Sequence, residues 1–299
     1  METENTFRGS IVPVVTPFKN GEVDLDGLAR LIDWQIESGS HGISVTGTTG
    51  EPTSLTRAER EAVIRAAAEA VNGRVPFVAG TGSTNHAETL HFSTFAQSAG
   101  ADALLVIAPY YNRPSQEGLF QHFNAVAKRV DLPVILYNIP GRTAVNIKIE
   151  TVARLKEANP NIIGVKEANK DFEHINRLLK RMGREFLVYS GIELLCFPVL
   201  AIGGAGYVSA TGNLMPAEVA GLYNLVSAGQ WRQAQDLHYA LMTLNDAVFM
   251  EINPVPVKTA LGMMGKINPD VRLPLSPLSP ANRRRLRQIL IDYRLIEEK

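Results

Sequence analysis

Short apolar or β-branched segments alternate with longer helical patterns through the first two thirds of this 299-residue chain. The segments typical of buried strands are Ile11–Thr16, Gly42–Thr46, Val75–Gly80, Ala103–Ala108, Val134–Asn138, Ile162–Lys166, Phe186–Ser190 and Gly206–Ala210. The helical patterns between them include Leu25–Glu37, Arg57–Val71, Ala87–Gln97, Gln116–Val130, Glu150–Glu157 and Phe172–Lys180. Strands that alternate with helices form βαβ units and a parallel sheet. Eight consecutive units predict an α/β fold, the (β/α)8 TIM barrel.

A doubly wound open sheet is the alternative architecture. Such a sheet more often carries a glycine-rich phosphate loop after its first strand, and residues 11–17 contain no glycine. After the eighth unit the strand pattern stops, and several helices are predicted from Pro216 onward, with a proline-rich break at Pro274–Pro280. We therefore predict a barrel of residues 1–215 and a C-terminal helical appendage of residues 216–299 packed on it.

The composition is that of an ordinary globular protein, with 45% hydrophobic and 20% charged residues. Lysine plus arginine and aspartate plus glutamate both number 30, which gives no charge signal for nucleic acid or anionic membrane. The lone cysteine, Cys196, excludes a disulfide within the chain and fits a reducing compartment. The segment Met1–Ser10 lacks the pattern of a signal peptide, and no apolar window is long enough to span a bilayer. These features predict a cytoplasmic protein.

The sixth predicted strand ends on a lysine, Lys166. Such a lysine is costly to bury unless it pairs with a carboxylate or loses its charge. Burial disfavours the charged form of an amine, and a neutral amine is a nucleophile toward carbonyl carbon. Lys166 is therefore a candidate Schiff-base lysine. The alternative is a structural ion pair with Glu167 or another carboxylate.

Polar groups also follow other predicted strands, at the end where a barrel of this kind carries its chemistry. They are Gly47-Thr48-Thr49-Gly50-Glu51, Pro109-Tyr110-Tyr111-Asn112-Arg113-Pro114, Tyr137-Asn138-Ile139-Pro140-Gly141-Arg142-Thr143 and Ser190-Gly191-Ile192. Taken singly, the hydroxyls could cap a helix, Glu51 could offset a helix dipole, and the tyrosines could belong to a core or an interface. Their convergence on one mouth of the barrel favours a functional site.

The residue types at this mouth fit one kind of chemistry. A lysine that forms a carbinolamine needs a proton shuttle to lose water, and phenol and hydroxyl groups can relay that proton. An arginine can hold a carboxylate in bidentate geometry. A lysine, tyrosines, threonines and an arginine together are consistent with imine chemistry on a keto acid.

These motifs, in this order, resemble those of the dihydrodipicolinate synthase and N-acetylneuraminate lyase superfamily, the pyruvate-dependent class I aldolases. The resemblance extends from Gly9 to about Gly265 and includes Gly-Thr-Thr-Gly-Glu, Pro-Tyr-Tyr-Asn-Arg-Pro, Tyr-Asn-Ile-Pro-Gly-Arg-Thr, Val-Lys-Glu-Ala and the segment Asn253–Lys258. As a set these motifs are highly specific. The resemblance implies a TIM-barrel lyase that joins pyruvate to an aldehyde. It implies no metal or organic cofactor, because the lysine itself serves as the electron sink.

The resemblance also implies a role for each residue of the site. Lys166 would form the imine with the keto carbon of pyruvate, Tyr137 would be the acid/base, and Thr48 would link Tyr137 to Tyr111. In the family this second tyrosine comes from the neighbouring subunit, so the site would depend on a dimer. The usual family assembly is a homotetramer built as a dimer of dimers. Thr49, with the Thr48 backbone, would bind the pyruvate carboxylate.

The residues around the aldehyde leave alternatives open. Arg142 resembles the synthase branch, in which this arginine binds the carboxylate of aspartate semialdehyde on the route to diaminopimelate and lysine. Gly191 is assigned to the substrate site, but Ile192 departs from the acidic pair that usually follows this glycine. A catabolic 2-keto-acid aldolase or hydratase-aldolase acting on another aldehyde therefore stays possible. A non-catalytic barrel that senses a keto acid is a remote alternative.

The family's effector cleft for lysine lies beside the position of Tyr110. Glu88 is retained there, whereas Arg57, Arg60 and Thr84 stand where lysine-sensitive members commonly have histidine or asparagine. Two extra cations would repel a cationic effector. We therefore predict weak or absent inhibition by lysine.

Overall fold

Eight parallel strands close into a barrel in the computed structural model, which describes residues 7–298. Most of the polar segment Met1–Ser10 and the last residue of the predicted appendage lie outside the described residues. The strands are β1 (Gly9–Pro13), β2 (Gly42–Val45), β3 (Phe77–Gly80), β4 (Ala103–Ile107), β5 (Val134–Asn138), β6 (Ile162–Glu167), β7 (Leu187–Ser190) and β8 (Gly206–Val208). Each strand pairs with the next, and β1 pairs with β8 to close the barrel. The predicted (β/α)8 barrel is confirmed.

One longer helix follows each strand. These helices are α1 (Leu25–Glu37), α2 (Arg57–Val71), α3 (His86–Ser98), α4 (Gln116–Arg129), α5 (Ile149–Ala158), α6 (Phe172–Met182), α7 (Cys196–Ala201) and α8 (Pro216–Ser227). A one-turn helix, Pro140–Thr143, precedes α5, and a small antiparallel pair, Phe18–Lys19 with Glu22–Val23, precedes α1. The helix α8 follows the eighth strand as the other helices follow theirs, and it contacts β1.

Local sequence accounts for the sharp helix boundaries. At the start of α2, the Thr56 hydroxyl accepts from the Glu59 N–H while the Glu59 carboxylate accepts from the Thr56 N–H, which is a complete capping box. Asn72 ends the same helix in the left-handed conformation. The buried residues of α2 recur every three or four positions, so one face of the helix packs on the barrel.

The strands are almost wholly buried because both of their faces are covered. Side chains of one set, such as Val12 and Ile43, pack between the barrel and the helices. The alternate set, such as Ile11, Leu105 and Ile135, packs in a second cluster with Tyr137 inside the barrel. This two-layer burial explains the nearly continuous apolar strand sequences.

The C-terminal region is helical beyond the eighth strand. After α8 come α9 (Trp231–Ala247), α10 (Val255–Met263) and α11 (Pro280–Asp292). The helix α11 contacts both α9 and α10. The predicted helical region is confirmed as a feature of the fold, and its division from the barrel between residues 215 and 216 stays a prediction. None of the helices within residues 7–298 has the length and apolar character needed to cross a membrane.

Candidate active site

A cavity of about 280 Å³ opens at the carboxyl ends of the barrel strands. Its polar lining comes from the strand-end loops and the C-terminal region: Thr48, Glu51, Tyr110, Tyr137, Arg142 and Asn253. Leu105, Ile107 and Leu275 contribute apolar walls. A largely apolar cavity with a few convergent polar groups is the usual form of a small-molecule site.

Lys166 and Tyr137 are partners in the register of the adjacent strands β5 and β6. The Lys166 side chain is buried, with 6% of the residue exposed, and its Nζ lies 4.1 Å from the centre of the Tyr137 ring. Gly191 leaves room for this lysine, because a Cβ at that position would lie 3.0 Å from Lys166 Cε and 2.8 Å from Ala168 Cβ. The direct contribution of Gly191 to substrate binding stays a prediction.

Lys166 does not form the structural ion pair with Glu167 that was the alternative interpretation. Successive side chains of a strand point to opposite faces, so Glu167 lies on the outside of the barrel. There Asn138 Nδ2 donates to both of its carboxylate oxygens, at 2.9 and 3.0 Å. His174 Nε2 lies 3.3 Å from the same carboxylate, which raises the pKa of that histidine.

The turn after β2 supplies two threonines. Thr48 Oγ1 lies 3.4 Å from Tyr137 Oη, within hydrogen-bond reach for a proton relay. Thr49 is buried, and its Oγ1 accepts a hydrogen bond from Asn253 Nδ2 at 3.0 Å. Because a hydroxyl that accepts one hydrogen bond can still donate its own proton, Thr49 remains able to bind an anion.

Arg142 lies in the one-turn helix Pro140–Thr143 that follows β5. Its guanidinium is exposed at the cavity, and Nη2 donates to the backbone oxygen of Asn253 at 3.3 Å. The Thr143 hydroxyl bonds to Ile139 O and Val145 O, which fixes the turn. The other guanidinium N–H groups can bind a carboxylate.

The two tyrosines after β4 lie in different environments. Tyr110 lines the cavity; burial raises its pKa and the nearby Arg60 opposes that rise. Tyr111 is 89% exposed and has a positive φ of 72°. Within its own chain, therefore, Tyr111 projects into solvent, and its link to Thr48 stays a prediction that requires a second subunit.

The loop after β7 carries an acidic side chain that is buried and hydrogen-bonded within the protein. Glu193 is buried; its carboxylate accepts from Ser209 Oγ and Ala210 N, both at 2.6 Å. Burial raises the pKa of Glu193, and these hydrogen bonds oppose the rise. Ile192 is half-buried and packs on the apolar cluster that includes Tyr137.

Sequence reasoning missed two contacts of the C-terminal region with this site. Asn253 lines the cavity, and Lys258 forms a buried ion pair with Glu51, with 2.6 Å between Nζ and Oε1. Glu51 thus pairs with a lysine rather than serving as a helix cap. The motif Asn253–Lys258 was the available signal, because polar residues there interrupt an otherwise apolar segment.

A (β/α)8 barrel with a buried lysine among hydroxyl groups at the catalytic end has the features of a lysine-dependent aldolase. Residues 6–292 match the dihydrodipicolinate synthetase family. A 4-hydroxy-tetrahydrodipicolinate synthase from Syntrophobacter fumaroxidans is 49% identical over 97% of this chain and 100% of its own. The chain belongs to the dihydrodipicolinate synthetase family.

Solved structures agree with this assignment. The dihydrodipicolinate synthase of Aquifex aeolicus is 43% identical and superposes with a TM-score of 0.96, covering 98% of this chain and 100% of its own. The chloride-inhibited enzyme from Acinetobacter baumannii, solved in complex with pyruvate, is 40% identical with a TM-score of 0.94. Its match covers 97% of this chain and 100% of its own.

Proposed function

We propose that this chain is a 4-hydroxy-tetrahydrodipicolinate synthase, which condenses pyruvate with L-aspartate 4-semialdehyde. The observation that carries the proposal is the buried Lys166 amine, 4.1 Å from the centre of the ring of Tyr137, which lines the cavity together with Arg142. The names of the relatives support the reaction, and the pyruvate complex of one relative supports pyruvate as the first substrate.

The proposed first half-reaction is imine formation. The Lys166 amine attacks the keto carbon of pyruvate, and the carbinolamine loses water with a proton from the Tyr137 hydroxyl. Thr48, 3.4 Å from that hydroxyl, relays the proton. The Thr49 hydroxyl and the Thr48 backbone hold the pyruvate carboxylate. The protonated imine is the electron sink, so the proposed chemistry needs no metal or organic cofactor.

The proposed second half-reaction joins the carbon chains. The Tyr137 oxygen, which gave up its proton in the dehydration, takes a proton from the methyl carbon of the bound pyruvate and leaves an enamine. The enamine attacks the aldehyde carbon of the second substrate, and the aldehyde oxygen takes up the proton. The amino group of that substrate then displaces Lys166 from the imine carbon, which closes the ring and frees the lysine. Arg142 holds the carboxylate of that substrate through its free guanidinium donors. Arg142 lies at the cavity wall, in the one-turn helix that follows the strand of Tyr137. This position supports the assignment of Tyr137 to proton transfer and of Arg142 to the second substrate.

We further propose that Tyr111 completes the relay of a neighbouring subunit in a homotetramer built as a dimer of dimers. Tyr111 is 89% exposed within its own chain and has a left-handed backbone, a conformation that a non-glycine residue keeps only where its surroundings hold it. Contacts with a neighbouring subunit would supply that support. The neutral charge balance and the single cysteine, Cys196, support a cytoplasmic enzyme that binds neither nucleic acid nor membrane.

One observation favours a second candidate, a 2-keto-acid aldolase or hydratase-aldolase acting on another aldehyde. Glu193 faces Ser209 and the backbone of Ala210, and Ile192 packs on apolar side chains. The one carboxylate of this loop is therefore engaged by protein donors, and Ile192 supplies none for an amino group on the aldehyde.

The deciding experiment is turnover of pyruvate with aspartate semialdehyde, coupled to the reductase that consumes the product. We expect rapid, saturable turnover. A negligible rate from protein that still forms a covalent pyruvate adduct would transfer the assignment to the second candidate. A protein that forms no adduct would contradict both.

A further inference from the structure

The segment Asn253–Lys258 joins the C-terminal region to the candidate active site. It begins in the loop before α10 and continues into the first turn of that helix. Asn253 and Pro254 line the cavity, and Lys258 lies behind the cavity wall. The roles proposed above use none of these side chains.

Lys258 is tied to the turn that follows β2. Its Nζ lies 2.6 Å from Glu51 Oε1 and 4.0 Å from the centre of the Phe18 ring. Lys258 is 0% exposed, and Glu51 is also buried. A buried ion pair gains little net stability over an apolar pair, but removing one partner leaves an uncompensated charge and is strongly unfavourable. The contact therefore fixes the position of the Glu51 side chain.

Glu51 in turn fixes the backbone that carries the threonines. It has a φ of 51°, in the left-handed region, and stands between the turns Thr48–Gly50 and Pro52–Ser54. A non-glycine residue in this region stores strain unless its surroundings hold it there. Because the side chain is anchored by Lys258, the orientation of Thr48 and Thr49 depends on the C-terminal region.

Asn253 makes a second connection to the same groups. Its Nδ2 donates to Thr49 Oγ1 at 3.0 Å, and its backbone oxygen accepts from Arg142 Nη2 at 3.3 Å. One residue thus contacts both side chains to which carboxylate binding is assigned. With Thr49 as an acceptor in this bond, the hydroxyl proton of Thr49 is directed away from Asn253 and is free for a ligand.

We propose that Lys258 and Asn253 are positioning residues of the active site. Lys258 holds the turn Thr48–Gly50 in place through its ion pair with Glu51. Asn253 contacts Thr49 and Arg142 and keeps the two side chains in a fixed relative position. This inference rests on the proposed function. If it holds, the affinity for the keto acid depends on residues of the C-terminal region as well as on residues of the barrel.

The test compares Lys258→Met with Lys266→Met, a matched control. Lys266 is an exposed lysine of the same region whose Nζ lies 4.2 Å from the centre of the Trp34 ring, away from the cavity. We expect Lys258→Met to raise the KM for pyruvate about 10- to 100-fold, the range for loss of a hydrogen bond to a charged group. The kcat at saturating pyruvate should change much less. The control should keep the wild-type KM.

A merely structural role predicts a different pattern. Lys258→Met would then unfold at a lower temperature, and its folded fraction would keep the wild-type KM, which would overturn the proposal. The double variant Glu51→Gln with Lys258→Met leaves no buried charge unpaired. We expect it to regain thermal stability while its KM stays raised, and a wild-type KM in this variant would also overturn the proposal.

Asn253→Ala keeps the proposal testable if Lys258→Met does not fold. Loss of the amide that bonds to Thr49 should raise the KM for pyruvate about fivefold, the usual effect of one neutral hydrogen bond. An unchanged KM would refute the role of Asn253. Wild-type protein that forms no pyruvate adduct would refute the proposed function. An active wild type, with an unaltered KM in Lys258→Met, in the double variant and in Asn253→Ala, would refute this inference alone.

Discussion

Lys166 Nζ lies 4.1 Å from the centre of the Tyr137 ring, and the two residues face each other across adjacent parallel strands. Their neighbours Glu167 and Asn138 are paired in the same register and hydrogen-bond on the opposite face of the sheet. A one-residue slip of β6 would exchange the faces of Lys166 and Glu167. The buried bonds of Glu167 therefore hold Lys166 in the barrel.

Borohydride reduction in the presence of pyruvate should attach one pyruvate-derived group to Lys166. Peptide mass mapping of the reduced protein identifies the modified residue. Lys258 is the informative comparison, because it is 0% exposed and paired with Glu51, so it should stay unmodified. Lys166→Ala should form no adduct. Modification of Lys258, or an adduct in the Lys166→Ala variant, would contradict the assignment of the Schiff-base lysine.

Tyr137→Phe should lower kcat by about two to four orders of magnitude, the usual range for a positioned acid/base group. The substitution removes only the hydroxyl that lies 3.4 Å from Thr48 Oγ1 and keeps the ring beside Lys166. Single-turnover trapping of the imine measures the affected step. A variant that dehydrates the carbinolamine at the wild-type rate would exclude Tyr137 from the proton relay.

The fold could be predicted closely because each element carries its own local signal. The helices Leu25–Glu37 and Arg57–Val71 have the predicted bounds, since Asp24 and Thr56 cap them. The first strand begins and ends earlier than predicted, at Gly9–Pro13 rather than Ile11–Thr16. Val14 and Val15 are apolar and buried, and Val14 N still donates to Ser44 O of β2, but Val15 N donates to the side chain of Asn213 instead of a neighbouring strand.

The site could be predicted only where strand order brings residues together. Lys166, Tyr137 and Thr48 gather because all follow or end strands of one barrel. The pair Glu51–Lys258 joins positions 207 residues apart through a helix outside the barrel repeat, so no periodic pattern indicates it. The proposed role of Tyr111 requires a second chain, and no pattern in the sequence indicates which surface such a chain would cover.

Arg142→Ala should leave pyruvate trapping intact and raise the KM for aspartate semialdehyde about 100-fold. Loss of a charge-assisted contact costs a few kcal/mol, which corresponds to that factor. Arg142→Lys is the matched control: it keeps the charge but loses the bidentate geometry, so it should recover only part of the affinity. Steady-state kinetics with each substrate varied in turn separates the effects. Impaired trapping in Arg142→Ala would place the arginine on pyruvate instead.

L-Lysine should inhibit the enzyme weakly or not at all. The Glu88 carboxylate already forms an ion pair with Arg57, and the buried guanidinium of Arg60 adds a second positive charge beside Tyr110. A cationic effector would meet repulsion there and find its carboxylate partner engaged. Initial rates measured across physiological lysine concentrations check this expectation, and clear inhibition in that range would show it to be wrong.

Stability should fall between about pH 6.5 and pH 4 in a way that depends on His122. Burial, with a smaller contribution from His86, lowers the pKa of His122 from 6.5 to about 4. The unfolded chain therefore takes up a proton below pH 6.5 that the folded chain accepts only near pH 4. The neutral histidine thus stabilises the fold above pH 6.5, and this contribution is lost as the pH falls.

The substitution His122→Gln removes this titration while keeping a polar side chain at the position. At about 1.4 kcal/mol per pKa unit, the lost contribution of His122 is at most about 3.5 kcal/mol. Thermal unfolding at a series of pH values should therefore give a shallower loss of Tm in the variant between pH 6.5 and pH 4. Because the pKa of His41 and of His238 is also lowered by burial, part of the slope should remain. An identical slope in wild type and variant would show that the fold does not lower the pKa of His122.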